Sequence, residues 1–200
     1  GPWFSDRVRR VFGPCVPRLV EAAASADAKK RAMEATPGFV CAQCGTLHEG
    51  LPTDRGFKLP DDVWAIPEEE REARAKWSTD LCEMDGRYFI RGVLYVPLTE
   101  RNDEFGWGVW AEVERSVFIR YLEVFESDAS NEAPGLGFLA NEIPGYDDAK
   151  NECLSIRFGR SDQRPTFFAQ PDSRSSLARH QRVGLDDEGY HAMLVAAGAI

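Results

Sequence analysis

No apolar stretch in this 200-residue chain approaches the roughly 20 residues that a bilayer-crossing helix needs, so a transmembrane helix is not expected. There is no Walker loop and no Gly-x-Gly-x-x-Gly, which removes the common nucleotide cradles. Neither His180 nor His191 stands near a serine elbow or a matching cysteine motif, so a nucleophilic triad has no support. Internal repeats, low-complexity tracts and a legible secretory signal are missing as well. Basic residues are in the minority: 24 Lys+Arg face 33 Asp+Glu, for a net charge of -9. That balance argues against nonspecific binding to a phosphate backbone.

Cysteine is present in an odd number: Cys15, Cys41, Cys44, Cys82 and Cys153. Their wide, irregular spacing does not resemble a secreted disulfide framework, and a reduced, cytoplasmic setting is expected. Charge divides the chain. Residues 1–38 carry seven basic and four acidic residues, for +3, which leaves 17 basic and 29 acidic residues, for -12, in 39–200. Within the first part, Phe4, Val8, Val11 and Phe12 recur at helical spacing among Arg7, Arg9 and Arg10, and an Ala-rich second helix is predicted from Arg18 to about Ala35. We therefore read 1–38 as a basic helical N-terminal extension and 39–200 as the domain proper.

The domain opens on Cys41-Ala42-Gln43-Cys44-Gly45, with His48 four residues beyond Cys44. Two thiolates at this spacing can face one ion, while Gly45 tolerates the positive φ of a tight turn. The pattern predicts a zinc knuckle with Cys41, Cys44 and His48 as ligands. A closed structural Zn2+ site needs a fourth, for which Cys82 is favoured, Cys153 competes and Cys15 is more distant. A three-ligand site would hold a water, with Glu49 as its base.

Along the rest of the domain, a loop is expected over 49–60 and a charged helix from Pro67 to about Trp77, with pairs Glu70–Arg74 and Glu72–Lys76. A short strand at 81–84 turns through Asp85-Gly86 into a long strand over 87–98. A further strand over 105–113 puts Phe105, Trp107, Val109, Ala111 and Val113 on one face and Trp110 on the other. Glycine in Gly106-Trp107-Gly108 reads as a bulge or a close approach. A helix carrying Phe118, Tyr121 and Leu122 follows, then a polar loop to Gly135 and an irregular segment to Tyr146. Strands are predicted at 154–158 and 164–169, and a last helix after Asp186. Strands and helices do not alternate, so the fold class is α+β, an antiparallel-rich sheet with packed helices.

Two groups of side chains stand out for binding. Arg91, Arg157, Arg160 and Arg164 lie in or beside strands and together would make an anion pocket. Trp107, Trp110 and Arg91 are residue types favoured as interface anchors.

Several of these runs resemble a bacterial family known as a domain of unknown function, DUF2199. They are Cys-x-x-Cys-Gly-x-x-His-x-Gly-Leu-Pro at 41–52, Glu70-Arg71, Ser78-Thr79-Asp80-Leu81-Cys82, Phe89-Ile90-Arg91-Gly92-Val93, Phe105 to Trp110, and Leu139 to Tyr146. The resemblance covers about 39 to 190. It implies that Cys82 belongs with the knuckle as fourth ligand and that 1–38 is an addition to the family core. The chain departs from the pattern at Ser175-Ser176, where a His-Pro pair is expected before Leu177, so no role for that histidine carries over.

The expected function is a noncatalytic, zinc-stabilised acidic protein that binds a macromolecular partner, a protein above all, as an immunity protein that neutralises a toxin or a regulatory adaptor would. The alternative is an enzyme acting on an anionic small molecule through an Arg-lined pocket of Arg91, Arg157 and Asp80, or through a zinc-bound water. Neither nucleic acid nor a membrane is an expected partner.

Overall fold

A computed structural model describes residues 54–199 with their side chains, together with the backbone of 39–40 and 47–48. The predicted helices of the extension, and Cys15, Cys41, Cys44 and Glu49, lie outside the described residues. So does the His48 side chain.

Strands β1 (Phe39–Val40) and β2 (Leu47–His48) form an antiparallel pair, with Phe39 opposite His48 and Val40 opposite Leu47. β3 (Asp54–Gly56) pairs parallel with a later strand, inside a stretch expected to be loop. Helices α1 (Asp61–Trp64) and α2 (Glu68–Arg74) follow, each starting just after a proline with acids in its first turn. α2 buries no residue, as a solvated helix should. It stops at Arg74, short of the expected Trp77, because Ala75–Trp77 is taken up as β4 against β5 (Leu81–Met84). Tertiary pairing overrides the helical pattern there, and Arg74 pairs with Asp85 at 2.7 Å across the strands. Asp85 (φ 51°) and Gly86 (φ 80°) make the two-residue hairpin turn, both left-handed.

The turn leads into β6 (Arg87–Leu98), which pairs along its length with β7 (Asp103–Val113). Helix α3 (Arg115–Val124) is followed by β8 (Gly135–Leu139), β9 (Cys153–Arg157) and β10 (Thr166–Ala169), all antiparallel in succession. β10 then returns to β6, and β6 through β10 close a five-stranded barrel with β3, β4 and β5 as additions. Five is odd, so strands that alternate in direction must meet parallel where the barrel closes. Thr166 of β10 does pair parallel with Val93 of β6. Helices α4 (Ser176–Val183) and α5 (Asp187–Ala196) complete the chain, with Ser175 and Asp186 capping them through their side chains.

Period-two alternation sends Ile90, Leu94, Val96 and Leu98 of β6 and Phe105, Trp107, Val109, Ala111 and Val113 of β7 into the barrel, where all are buried with Leu154, Ile156 and Phe167. Phe118 of α3 stacks on Tyr88 at one end of the β6–β7 pair, and Tyr190 of α5 meets Phe105 at the other. A second core lies outside the barrel wall: Trp110, Phe89, Cys82 and Met84 are covered by Leu59, Val63 and Ile66. Asn141 fastens that cover. Its Oδ1 accepts from Trp110 N at 2.8 Å, and its Nδ2 donates to Leu59 O at 3.0 Å and Asp61 Oδ1 at 2.8 Å.

The edge of β6 away from β7 is served piecemeal. Arg91 N donates to Asp80 O and Val93 N to Pro165 O, both at 2.9 Å. Tyr95 O then accepts from the Gln181 carboxamide at 3.2 Å, and Pro97 O from Leu185 N at 2.8 Å. Gln181 also donates to Phe167 O and accepts from Ala169 N, so one side chain bridges β10 to β6 where their backbones part. Pro97 is tolerated near the end of β6 because only its carbonyl is used on this edge.

Candidate functional site

The fork in the β6 edge, where β5 leaves and β10 arrives, gathers charged side chains. Ser78 folds the entry to β5, its hydroxyl accepting from Asp80 N at 3.3 Å and Leu81 N at 3.1 Å. This turn holds Asp80, which is largely buried, beside Arg164 at the head of β10; Arg164 Nε donates to Asp80 Oδ1 at 2.5 Å. Arg91 stands between them on the outer face of β6. Its guanidinium lies over two backbones without side chains: a Cβ on Gly56 would fall 2.8 Å from Arg91 Nη2, and one on Gly108 3.7 Å. Gly108 is therefore a place of close approach, one of the two roles predicted for the Gly106-Trp107-Gly108 run.

Arg91 is poorly satisfied. Nη1 reaches Thr79 O only at 3.4 Å, and Nε is buried without a hydrogen-bond partner. Burial, and then the neighbouring Arg164 charge, pull its pKa down, while Asp80 pulls it back. Tyr121 of α3 senses the same pair: burial first and the Asp80 charge second push its phenol up, opposed by Arg164.

Of the arginines singled out by sequence, the fold brings together Arg91 and Arg164 with Asp80. Arg160 pairs with Asp162 in an exposed turn. Arg157 lies elsewhere, with its guanidinium 4.5 Å from the centre of the Phe168 ring on the outer face of β9 and β10. That face carries apolar groups in register. Leu136 sits opposite Ser155, itself opposite Phe168, and Phe138 is opposite Cys153. Leu136 is 60% and Phe138 54% exposed.

Trp107 and Trp110 require a correction. Both are fully buried, Trp107 inside the barrel and Trp110 in the second core, where its indole donates to Phe57 O at 3.3 Å. Neither presents a ring to a partner. Cys82 is also fully buried, and burial, with Glu83 adding, pushes its thiol up to about 12. Among the described residues no group of three or more His, Cys, Asp or Glu side chains could hold a metal. β1 and β2 pair on either side of 41–46, with Val40 opposite Leu47, and 41–46 lie outside the described residues. Ser175 and Ser176 start α4. Ser175 Oγ accepts from Ala178 N, and Ser176 donates through N and Oγ to Asp148.

Sequence reasoning had no signal for the Leu136–Phe138 row, because it gave that stretch to loop and irregular structure. The Asp80–Arg164 pair escaped it as well, since the two residues meet only when the barrel closes.

Residues 40–185 match a family described as an uncharacterized protein conserved in bacteria, DUF2199. Two curated relatives are UvrABC system protein C from Legionella pneumophila strain Paris, 31% identical over 71 residues, and strain Lens, 33% identical over 64. These matches span 36% and 32% of this chain but only 12% and 10% of the relatives' length. No solved structure matches. No described helix is long and apolar enough to cross a membrane.

Proposed function

The chain belongs to this bacterial family, DUF2199, and from that premise we propose that it is a noncatalytic, zinc-stabilised cytoplasmic protein that binds a protein partner. The observation that carries the reading is the outer face of β8, β9 and β10, where Leu136 and Phe138 stand more than half exposed on the same face as Phe168 and Arg157. Apolar side chains grouped on one sheet face lose water when covered, and an arginine on an aromatic ring is a common anchor at such surfaces. A toxin-neutralising immunity protein or a regulatory adaptor would use such a face. The likeness to UvrABC system protein C covers about a tenth of that protein and does not bring its activity here.

The test is capture from the native host with wild type, Leu136→Glu/Phe138→Glu and, as a control on another exposed apolar residue, Trp64→Glu. One protein should be retained at near-equal stoichiometry by wild type and Trp64→Glu and lost by the double variant. Retention by all three would defeat the reading.

Zinc is proposed at Cys41, Cys44 and His48, with Cys82 as fourth ligand. Metal analysis of protein purified without chelator should find one zinc per chain, lost in Cys41→Ser and weakened in Cys82→Ser together with thermal stability. Full zinc and full stability in Cys82→Ser would instead mean a three-ligand site with a water, and would bring the hydrolase reading forward.

A further inference from the structure

The β6 fork is a charged site that the partner-binding face does not use. Its donors outnumber its acceptors. Two guanidinium groups, Arg91 and Arg164, share one carboxylate, Asp80, and that carboxylate is taken by Arg164 Nε. Both Nη groups of Arg164 and the Nη2 of Arg91 have no hydrogen-bond acceptor among the described residues, and Arg91 Nη1 has only its long contact to Thr79 O. Elsewhere, Arg87 is matched by Glu112 and Asp62, and Arg120 by Glu132 and Glu123.

The scaffold holds the two cations close. Arg91 is tied through its backbone N–H to Asp80 O, and Asp80 through its side chain to Arg164. The Gly56 and Gly108 backbones give the Arg91 guanidinium a floor, and any side chain at Gly56 would displace it. Arg164 remains 41% exposed, so the cluster opens to solvent on one side, while Asp80, at 12%, lies beneath. A like charge beside a half-buried guanidinium is unfavourable unless an anion joins it, and planar guanidinium forks suit the paired oxygens of carboxylate and phosphate.

We propose that Arg91 and Arg164, oriented by Asp80 at the fork of the β6 edge, bind a small oxyanion, a carboxylate or phosphate group. Each guanidinium turns N–H groups toward it, and Asp80 fixes Arg164 through Nε so that its outer nitrogens point away from the protein. The bound charge offsets the repulsion between the two cations.

The experiment follows the side-chain Nε–Hε signals of 15N-arginine-labelled full-length protein during titration with sodium phosphate or sodium acetate, against sodium chloride at equal ionic strength. The Arg91 and Arg164 signals should move and saturate with at least one oxyanion. Saturation with phosphate alone identifies a phosphate-class site, with acetate alone a carboxylate-class site, and with both a general oxyanion site. Arg164→Gln should weaken binding about tenfold or more, as expected for loss of a charge-assisted hydrogen bond. Arg91→Lys keeps the charge without the fork and should fall between wild type and Arg164→Gln, whereas Arg120→Gln should bind as wild type does. Non-saturating shifts equal to those in chloride would overturn the proposal, as would undiminished affinity in both Arg164→Gln and Arg91→Lys.

Discussion

Gly92→Ala should cost about 3 kcal/mol of stability, at the upper end of the usual range for overpacking a core, and lower the melting midpoint by roughly 6–12 °C for a domain of this size. Gly92 lies on the inward face of β6, opposite Val109. A Cβ there would stand 2.4 Å from Phe167 Cζ, 2.5 Å from Cε1 and 2.7 Å from Pro165 O. The ring belongs to a fully buried residue and has no free volume to enter, and the carbonyl is the one that accepts from Val93 N to close the barrel. The added methyl must therefore displace the ring or part β10 from β6. Urea unfolding measures the loss. Phe167→Leu, introduced into the Gly92→Ala background, should cost clearly less than it does alone, because the two changes share one space. Additive costs, or a Gly92→Ala protein within about 0.5 kcal/mol of wild type, would remove steric crowding as the reason for glycine at this position.

The second large effect is expected at Asn141. Removing its carboxamide in Asn141→Ala leaves Trp110 N without its acceptor and Leu59 O without a donor, and breaks the link to Asp61. Asn141 is 2% exposed, so water does not readily replace those bonds. Buried polar groups left unpaired cost roughly 1–3 kcal/mol each, which puts the total at about 3 kcal/mol. The loss should be local before it is global, because the bonds hold Leu59 and its neighbours over the second core. Cys82 reports this. In wild type its sulfur is fully buried, so it should resist alkylation. In Asn141→Ala, mass spectrometry of the Cys82 peptide should show labelling under native conditions, faster than the rate expected from global unfolding alone. Protection equal to wild type would show that the cover is held by apolar packing rather than by the amide.

How much of this could be read from residues depended on whether the deciding contact was local. The β5–β6 hairpin and β7 were legible because Asp85-Gly86 marks a left-handed turn and the aromatic and β-branched residues alternate on either side of it. β8 was not, since Gly135 and Gly137 lower its strand propensity. Both glycines have a long-range cause, as a Cβ on Gly137 would meet Glu112 O at 2.7 Å and one on Gly135 would meet Val117 Cγ1 at 2.7 Å. The end of α2 was misjudged for a similar reason. Ala75-Lys76-Trp77 continues the helical pattern, and only β5 converts it to a strand. Arg91 and Asp80 were legible as candidates for one site because the runs they stand in are distinctive. Of the arginines grouped with Arg91, Arg164 stands beside Asp80 and Arg157 does not, since barrel register sets Arg157 beside Phe168.

The patched edge of β6 also governs when the chain can fold during synthesis. Asp80 precedes the strand, but Pro165, Gln181 and Leu185 emerge long after it. Until Leu185 has left the ribosome, the backbone groups from Val93 to Thr99 on that edge lack their final partners, while β7 is already available to pair on the other side. An unfinished sheet with one open edge invites pairing with a neighbouring nascent chain. Closure of that edge therefore waits on the last quarter of the sequence, far from the strand at risk.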